Sequence, residues 1–237
     1  MKVLVNMWMT LKNLIRYNLK IIFVNRFIWF LLAAMIFYIF IVFMRVWNNN
    51  IPDEAFVYNA LIFPGILLLF FPTVFGIQTD KDARVLEILF GIPDYRYKVW
   101  LVRLIMIFLI VFVFVLILAG LSSFGLIRLN VFEMAGQLML PLFFFGSMAF
   151  MISTLVKSGY GTAVILIILG LFILTLAEPL ESSMWNVFLN PFQIPNDLNE
   201  IVWQNITFKN RIFLVSSILI FTLYGLFNLQ RREGFMN

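Results

Sequence analysis

LIMIFLIVFVFVLILAGLSSFGLI, residues 104–127, is a run of 24 residues without one ionisable side chain, closed by Arg103 on one side and Arg128 on the other. About 20 apolar residues in helical form cross the hydrocarbon core of a bilayer. This stretch therefore reads as a membrane span, and it sets the scale for the rest of the chain. Five more runs of the same kind lie on either side of it. They are Phe27 to Val46, Phe56 to Gln78, Met134 to Val156, Tyr160 to Ala177 and Ile212 to Leu229. Pro64 and Pro72 fall in the second span and are expected to kink it or open its backbone bonding locally, which neighbouring helices can compensate. Pro141 and Gly146 fall in the fourth, and Gly161 and Gly170 in the fifth, where small residues let membrane helices approach closely.

Composition agrees with this reading. Hydrophobic residues make up 63% of the 237 and charged residues 12%, with a mean hydropathy of +1.00. Soluble domains run near 45–50% apolar and about 25% charged. No single core hides that excess, so lipid must cover it. Six spans and their loops use up the chain, and no soluble catalytic domain fits beside them.

Lysine and arginine orient the bundle. With the N-terminus in the cytosol, thirteen of the seventeen basic residues lie on the cytosolic side. The exceptions are Arg45, Arg128, Lys209 and Arg211. That bias follows the positive-inside rule and places both termini in the cytosol.

Several chemistries are excluded or disfavoured. The chain has no Cys and no His, which removes disulfides, thiolate and imidazole catalysis and most zinc sites. Apart from Arg45, Arg103 and Glu133 near their edges, the spans carry no ionisable group. Proton-driven carriers, voltage sensors and charged-ring channels need such groups at depth. Asp80-Lys81-Asp82-Ala83-Arg84 has the wrong spacing for a membrane phosphotransferase signature. No Gly-x-x-x-x-Gly-Lys-Ser/Thr phosphate loop occurs, so this chain does not hydrolyse ATP. The basic residues flank apolar spans instead of forming one patch, and no nucleic-acid partner is expected.

Residues 1–26 precede the first span. Leu4, Trp8, Leu11, Ile15, Leu19 and Ile22 recur on one helical face, with Lys12, Arg16 and Lys20 among the polar residues opposite. A Trp-bearing apolar face against a basic one describes a helix lying in the headgroup layer, with Trp8, Arg16 and Lys20 at the lipid boundary. An ordinary cytosolic lead into the first span is the alternative.

Between spans two and three lies the polar stretch 79–103, TDKDARVLEILFGIPDYRYKVWLVR. Asp80, Arg84, Glu87 and Gly91 fall on one helical side, and Val85, Leu86, Leu89 and Phe90 on the other. Asp80 and Arg84 make an i,i+4 acid–base pair. Gly91-Ile92-Pro93 supplies a stop. The expectation is a short amphipathic rod from Asp80 to Phe90, tied to a span at each end. It reads equally as a docking element for a partner and as a linker resting on lipid.

Leu86-Glu87-Ile88-Leu89, then Pro93, Tyr95-Arg96 and the basic Arg103, resembles the coupling-helix signature of ABC type-2 permeases. That family shows Gly-Thr-Leu-Glu-x-Leu-Leu, a Pro, Ser/Tyr-Arg and a Lys; here Arg84 and Val85 stand in place of Gly-Thr. The overall plan of the chain also resembles that family. The resemblance implies an all-α polytopic membrane protein with six transmembrane helices, an N-terminal interfacial helix and a cytosolic coupling helix. Three parts follow: the interfacial helix (1–26), the six-span domain (27–229) and a cytosolic tail (230–237).

The resemblance further implies a permease subunit of an ABC exporter in a prokaryotic plasma (inner) membrane. Its partners would be two copies of an ATP-binding subunit and a second permease, identical or paralogous, within membrane lipid. ATP and Mg would sit on the ATP-binding subunit and no cofactor on this chain. Asp80, Arg84, Leu86, Glu87, Leu89, Phe90, Pro93 and Arg96 would make the coupling site. An apolar, aromatic cavity would suit an amphiphilic or hydrophobic cargo such as a drug, peptide or lipid-linked molecule. A lipid or polysaccharide translocase of the same class, and a non-transporting anchor or assembly subunit, are the alternatives.

In that family the outer segment before span six often dips back into the membrane. In the segment 178–211, Met184–Leu189 is expected to form such a short helix, broken at Pro191-Phe192, with Trp185 and Phe188 on it. An interfacial aromatic belt is the alternative reading of these side chains.

Overall fold

The computed structural model describes residues 27–48, 51–82, 91 and 94–230. The interfacial helix read in 1–26, with Trp8, Arg16 and Lys20, lies outside the described residues, as does the tail after 230. Among the described residues the protein is helical and contains no strand. Six helices are long and apolar enough to cross a membrane.

Among the described residues the helices are α1 (Phe27–Trp47), α2 (Glu54–Val74), α3 (Gly76–Asp82), α4 (Val102–Gly125), α5 (Val131–Val156), α6 (Gly159–Ala177) and α7 (Glu200–Asn228). A π-helical stretch, Arg96–Leu101, runs directly into α4. Four starts are fixed by side-chain caps. Asp53 accepts from the Phe56 amide at 2.8 Å, Asn130 from Glu133, Ser158 from Gly161, and Asn199 from Val202 at 2.8 Å. Each satisfies an amide that the first turn leaves free. α5 ends on Lys157, which adopts the left-handed conformation (φ 59°) and makes the turn into α6 tight.

Spans two, three and six differ at their edges from the apolar runs. Helix α2 passes unbroken through Pro64 and Pro72, and the chain bends only at Phe75 before α3 carries span two on to Asp82. Span three begins at Arg96, eight residues before its apolar run. Span six begins at Glu200, twelve residues before its own. The last twelve residues of 178–211 are thus helix. Asn199 caps it, Glu200 sits favourably in its first turn, and Trp203 turns inward to the core.

α5 is the hub of the bundle and packs against α2, α4, α6 and α7, while α1 rests mainly on α2. Val57, Leu61, Leu68 and Leu69 of α2, Ile107, Val111 and Val115 of α4, and Leu138 and Leu142 of α5 form the main core. Close approach depends on two glycines. A Cβ at Gly65 would stand 2.6 Å from Leu142 Cδ1, and one at Gly146 would press on the Phe108 ring. α2, α5 and α7 run in the same direction. Gly65 meets Leu142 and the Ser153 hydroxyl donates to the Val74 carbonyl; Gly225 meets Phe150 and the Asn228 amide donates to the Thr154 carbonyl at 2.6 Å. α1 and α6 leave most of their apolar side chains uncovered, among them Ile36, Phe40, Ile168 and Phe172. That is the surface expected of helices facing lipid.

Candidate functional site at the junction of spans two and three

The buried charged side chains and most of the buried polar ones lie toward the two ends of the bundle. At the end where the stretch 79–103 lies, α3 brings Asp80 inward and α4 brings Arg103 to meet it. Asp80 is 6% exposed and Arg103 5%. Arg103 Nη1 donates to Asp80 Oδ2 at 2.6 Å, and Nη2 to Oδ1 at 3.1 Å. This is the fork-on-carboxylate geometry, the strongest arrangement for such a pair. The Arg103 guanidinium also lies 5.0 Å from the centre of the buried Trp100 ring. Arg103 Nε and Trp100 Nε1 are buried and make no hydrogen bond among the described residues. Both residues line a small cavity shared with Pro72, Thr73, Gly76, Ile77 and Phe150.

The neighbouring chain ends are fastened to the same region. Gln78 Oε1 accepts from the Gly159 amide at 2.6 Å, joining α3 to the start of α6. The buried Tyr95 hydroxyl donates to the Leu229 carbonyl, joining the π-helical stretch to the end of α7. Arg96 is half-buried and lies 5.3 Å over the Tyr97 ring. Asp94, with φ 56°, pairs with Lys98 at 3.7 Å on the exposed surface, where such pairs contribute about 0–1 kcal/mol.

Of the coupling residues read from the sequence, the structure places Asp80 and Arg96. Asp80 stands in the last turn of α3, continuous with span two, and both its oxygens are held by Arg103. Arg84, Leu86, Glu87, Leu89, Phe90 and Pro93 lie outside the described residues, and with them the rod and its i,i+4 pair. Sequence reasoning singled out Asp80 and Arg103 separately and did not join them. The available signal was Arg103 at the very threshold of a 24-residue apolar run, where a charge requires a partner.

At the opposite end, residues 178–199 form a strap of turns with no helix. The short helix expected over Met184–Leu189 is absent. Asn186 Oδ1 takes the Phe188 amide at 2.9 Å, and Asn190 Oδ1 takes the Phe192 amide at 3.0 Å. Such side-chain turns compete directly with helical bonding, and Pro191 removes one more donor. The strap is pinned from several helices. Asn190 Nδ2 donates to Ala55 O and Asn59 Oδ1, the Tyr58 hydroxyl to Leu189 O, Trp203 Nε1 to Pro191 O, and Asn210 Nδ2 to Met184 O and Asn186 O.

Among the residues expected to dip inward, Phe188 stacks on Phe145 at 5.2 Å and Phe192 packs on Tyr58 at 5.8 Å, while Trp185 is exposed and edges Phe213. Val187 and Leu189 are the deeper anchors. The repeat Asn-x-Phe at 186–188 and 190–192 was the sequence signal for this design.

Among the described residues no three carboxylates converge on a metal-sized site. Comparisons with family models, with curated proteins and with solved structures returned no match to this chain.

Proposed function

We propose that this chain is the membrane-spanning subunit of an ATP-driven exporter of the ABC type-2 class. The observation that carries the reading is the stretch from Leu86 to Arg103, whose Leu-Glu-x-Leu, Pro93, Tyr95-Arg96 and Arg103 resemble the family's coupling segment. Six helices apolar enough to span a membrane support it. So does the fastening of the segment's two flanks, Asp80 and Arg103, to each other. A segment pushed from outside passes force to the bundle only when its ends are held. In this reading the segment faces the cytosol and docks a separate ATP-binding subunit. ATP binding and hydrolysis on that subunit drive the bundle between states, and the cargo is amphiphilic or hydrophobic.

The exporter reading expects an ATP-binding subunit encoded beside this chain, and the test is association with it. Wild type is expected to co-purify with it and stimulate its ATP hydrolysis. Glu87→Lys and Leu86→Asp are expected to weaken both effects at unchanged expression. Unchanged association and unchanged stimulation in both variants would refute docking at this segment.

A further inference from the structure

Two departures from regular α-helix face each other at the Asp80–Arg103 pair. In span two the chain bends at Phe75, three residues after Pro72. Pro72 has no amide to give the Leu68 carbonyl, so the last turn before the bend is already short of one backbone bond. In span three, Arg96–Leu101 is π-helical, a form that occurs mostly as single-turn insertions and often at functional sites. The pair lies between these two irregular segments, and both partners are more than nine-tenths buried.

Burial of an ion pair is a poor way to gain stability, because desolvation offsets much of the attraction. What the fork geometry adds is register. Two parallel bonds fix the rotation of α3 against the start of span three. Relaxation of the π turn to α-helix would shift register by one residue and rotate Arg103 by about 100°, which breaks both bonds together. The pair is either made in full or lost. Among the described residues Arg103 Nε and Trp100 Nε1 have no acceptor, and both residues line the small cavity between Thr73, Gly76 and Phe150. That cavity has room for about one water.

We propose that Asp80 and Arg103 form a two-state latch across the ends of the segment 83–93. Latched, the ends of spans two and three move as one body. Open, α3 moves about Phe75 relative to span three, within the reach left by the bond of Gln78 to the start of α6. The use of this latch in transport rests on the exporter reading above; the latch itself does not.

The chain has no cysteine, so nitroxide labels can be placed at will. Asp82 and Tyr97 are exposed and flank the pair. Asp82→Cys/Tyr97→Cys, labelled and reconstituted in lipid nanodiscs, is measured by pulsed electron paramagnetic resonance. The intact pair is expected to give one narrow distance distribution. Adding Asp80→Asn is expected to at least double its width or produce a second distance. A distribution as narrow as the parent's would overturn the latch. Should Asp80→Asn fail to fold, Arg103→Lys replaces it, keeping the charge without the fork. Broadening there supports the latch and an unchanged width overturns it. No ATP-binding subunit is present, so failure of the docking test leaves this result standing, and the converse holds.

Discussion

Asn210 is fully buried on α7, and its side-chain nitrogen donates to two strap carbonyls, Met184 O at 2.9 Å and Asn186 O at 2.8 Å. Asn210→Leu keeps the volume and removes both bonds, together with the one Asn210 Oδ1 accepts from Arg211 Nη1 at 3.2 Å, leaving two carbonyls short of a partner. A neutral hydrogen bond contributes roughly 1 kcal/mol, and an unpaired buried carbonyl costs about 1–3 kcal/mol, so the change is worth about 2–4 kcal/mol. At about 1.4 kcal/mol per factor of ten, the strap should open roughly 30- to 1,000-fold more often. The remaining pins, from Tyr58, Asn190 and Trp203, do not depend on Asn210. The loss should therefore appear as local opening, not as collapse of the bundle. Hydrogen exchange in nanodiscs reads this directly. Peptides covering 184–192 should lose protection while those from the core of α5 keep theirs. Unchanged exchange over 184–192 in Asn210→Leu would refute the assignment.

Two further outcomes follow from the packing. Gly146→Ala puts a methyl 3.0 Å from Phe108 Cζ and closer still to the rest of that ring, whereas Gly136 on the same helix has open space around its Cβ position. Detergent melts should show Gly146→Ala destabilised by about 1–3 kcal/mol and Gly136→Ala neutral or raised by up to about 1 kcal/mol; equal melting temperatures would contradict the close approach of α4 and α5. Asp80→Leu alone leaves Arg103 charged and buried and should cost about 3–5 kcal/mol, while Asp80→Leu/Arg103→Leu should be near neutral or more stable than wild type. Equal losses in the single and the double variant would show that the two side chains do not act as a pair.

The spans were legible because each apolar run is closed by residues that do not enter hydrocarbon. Met134 to Val156 and Tyr160 to Ala177 match α5 and α6 to within three residues. Hydropathy fails where a helix leaves the apolar layer. Asn205, Lys209, Asn210 and Arg211 lower the signal over 200–211, so this part of span six read as loop. Its true start was nonetheless written locally, in Asn199 as a cap and Glu200 in the first turn. The strap misled in the opposite way. Met184 to Leu189 has helix-compatible apolar content, but the short reach of Asn186 and Asn190 to amides two residues on overrides it. The Asp80–Arg103 pair was the least visible, since 23 residues separate partners that only the return of the chain brings together.

The two polar ends differ in kind, and this bears on how each can move. The strap is held by separate neutral bonds from α2 and α7, each contributing about 1 kcal/mol. Such bonds can be lost one at a time, so the strap should loosen in steps, with removal of one pin leaving the others in force. The opposite end is held by a buried carboxylate and guanidinium, and half of that pair is far more costly than either the whole or none of it. Intermediate positions there expose an unpaired charge to an apolar wall made by Ile77, Leu104 and Phe150. That end should therefore switch between discrete arrangements. In the exporter reading proposed above, an end that switches beside a far end that yields gradually would convert a sharp input into a compliant output. Graded exchange over 184–192 beside discrete distances across Asp80 and Arg103 is the paired signature of that division.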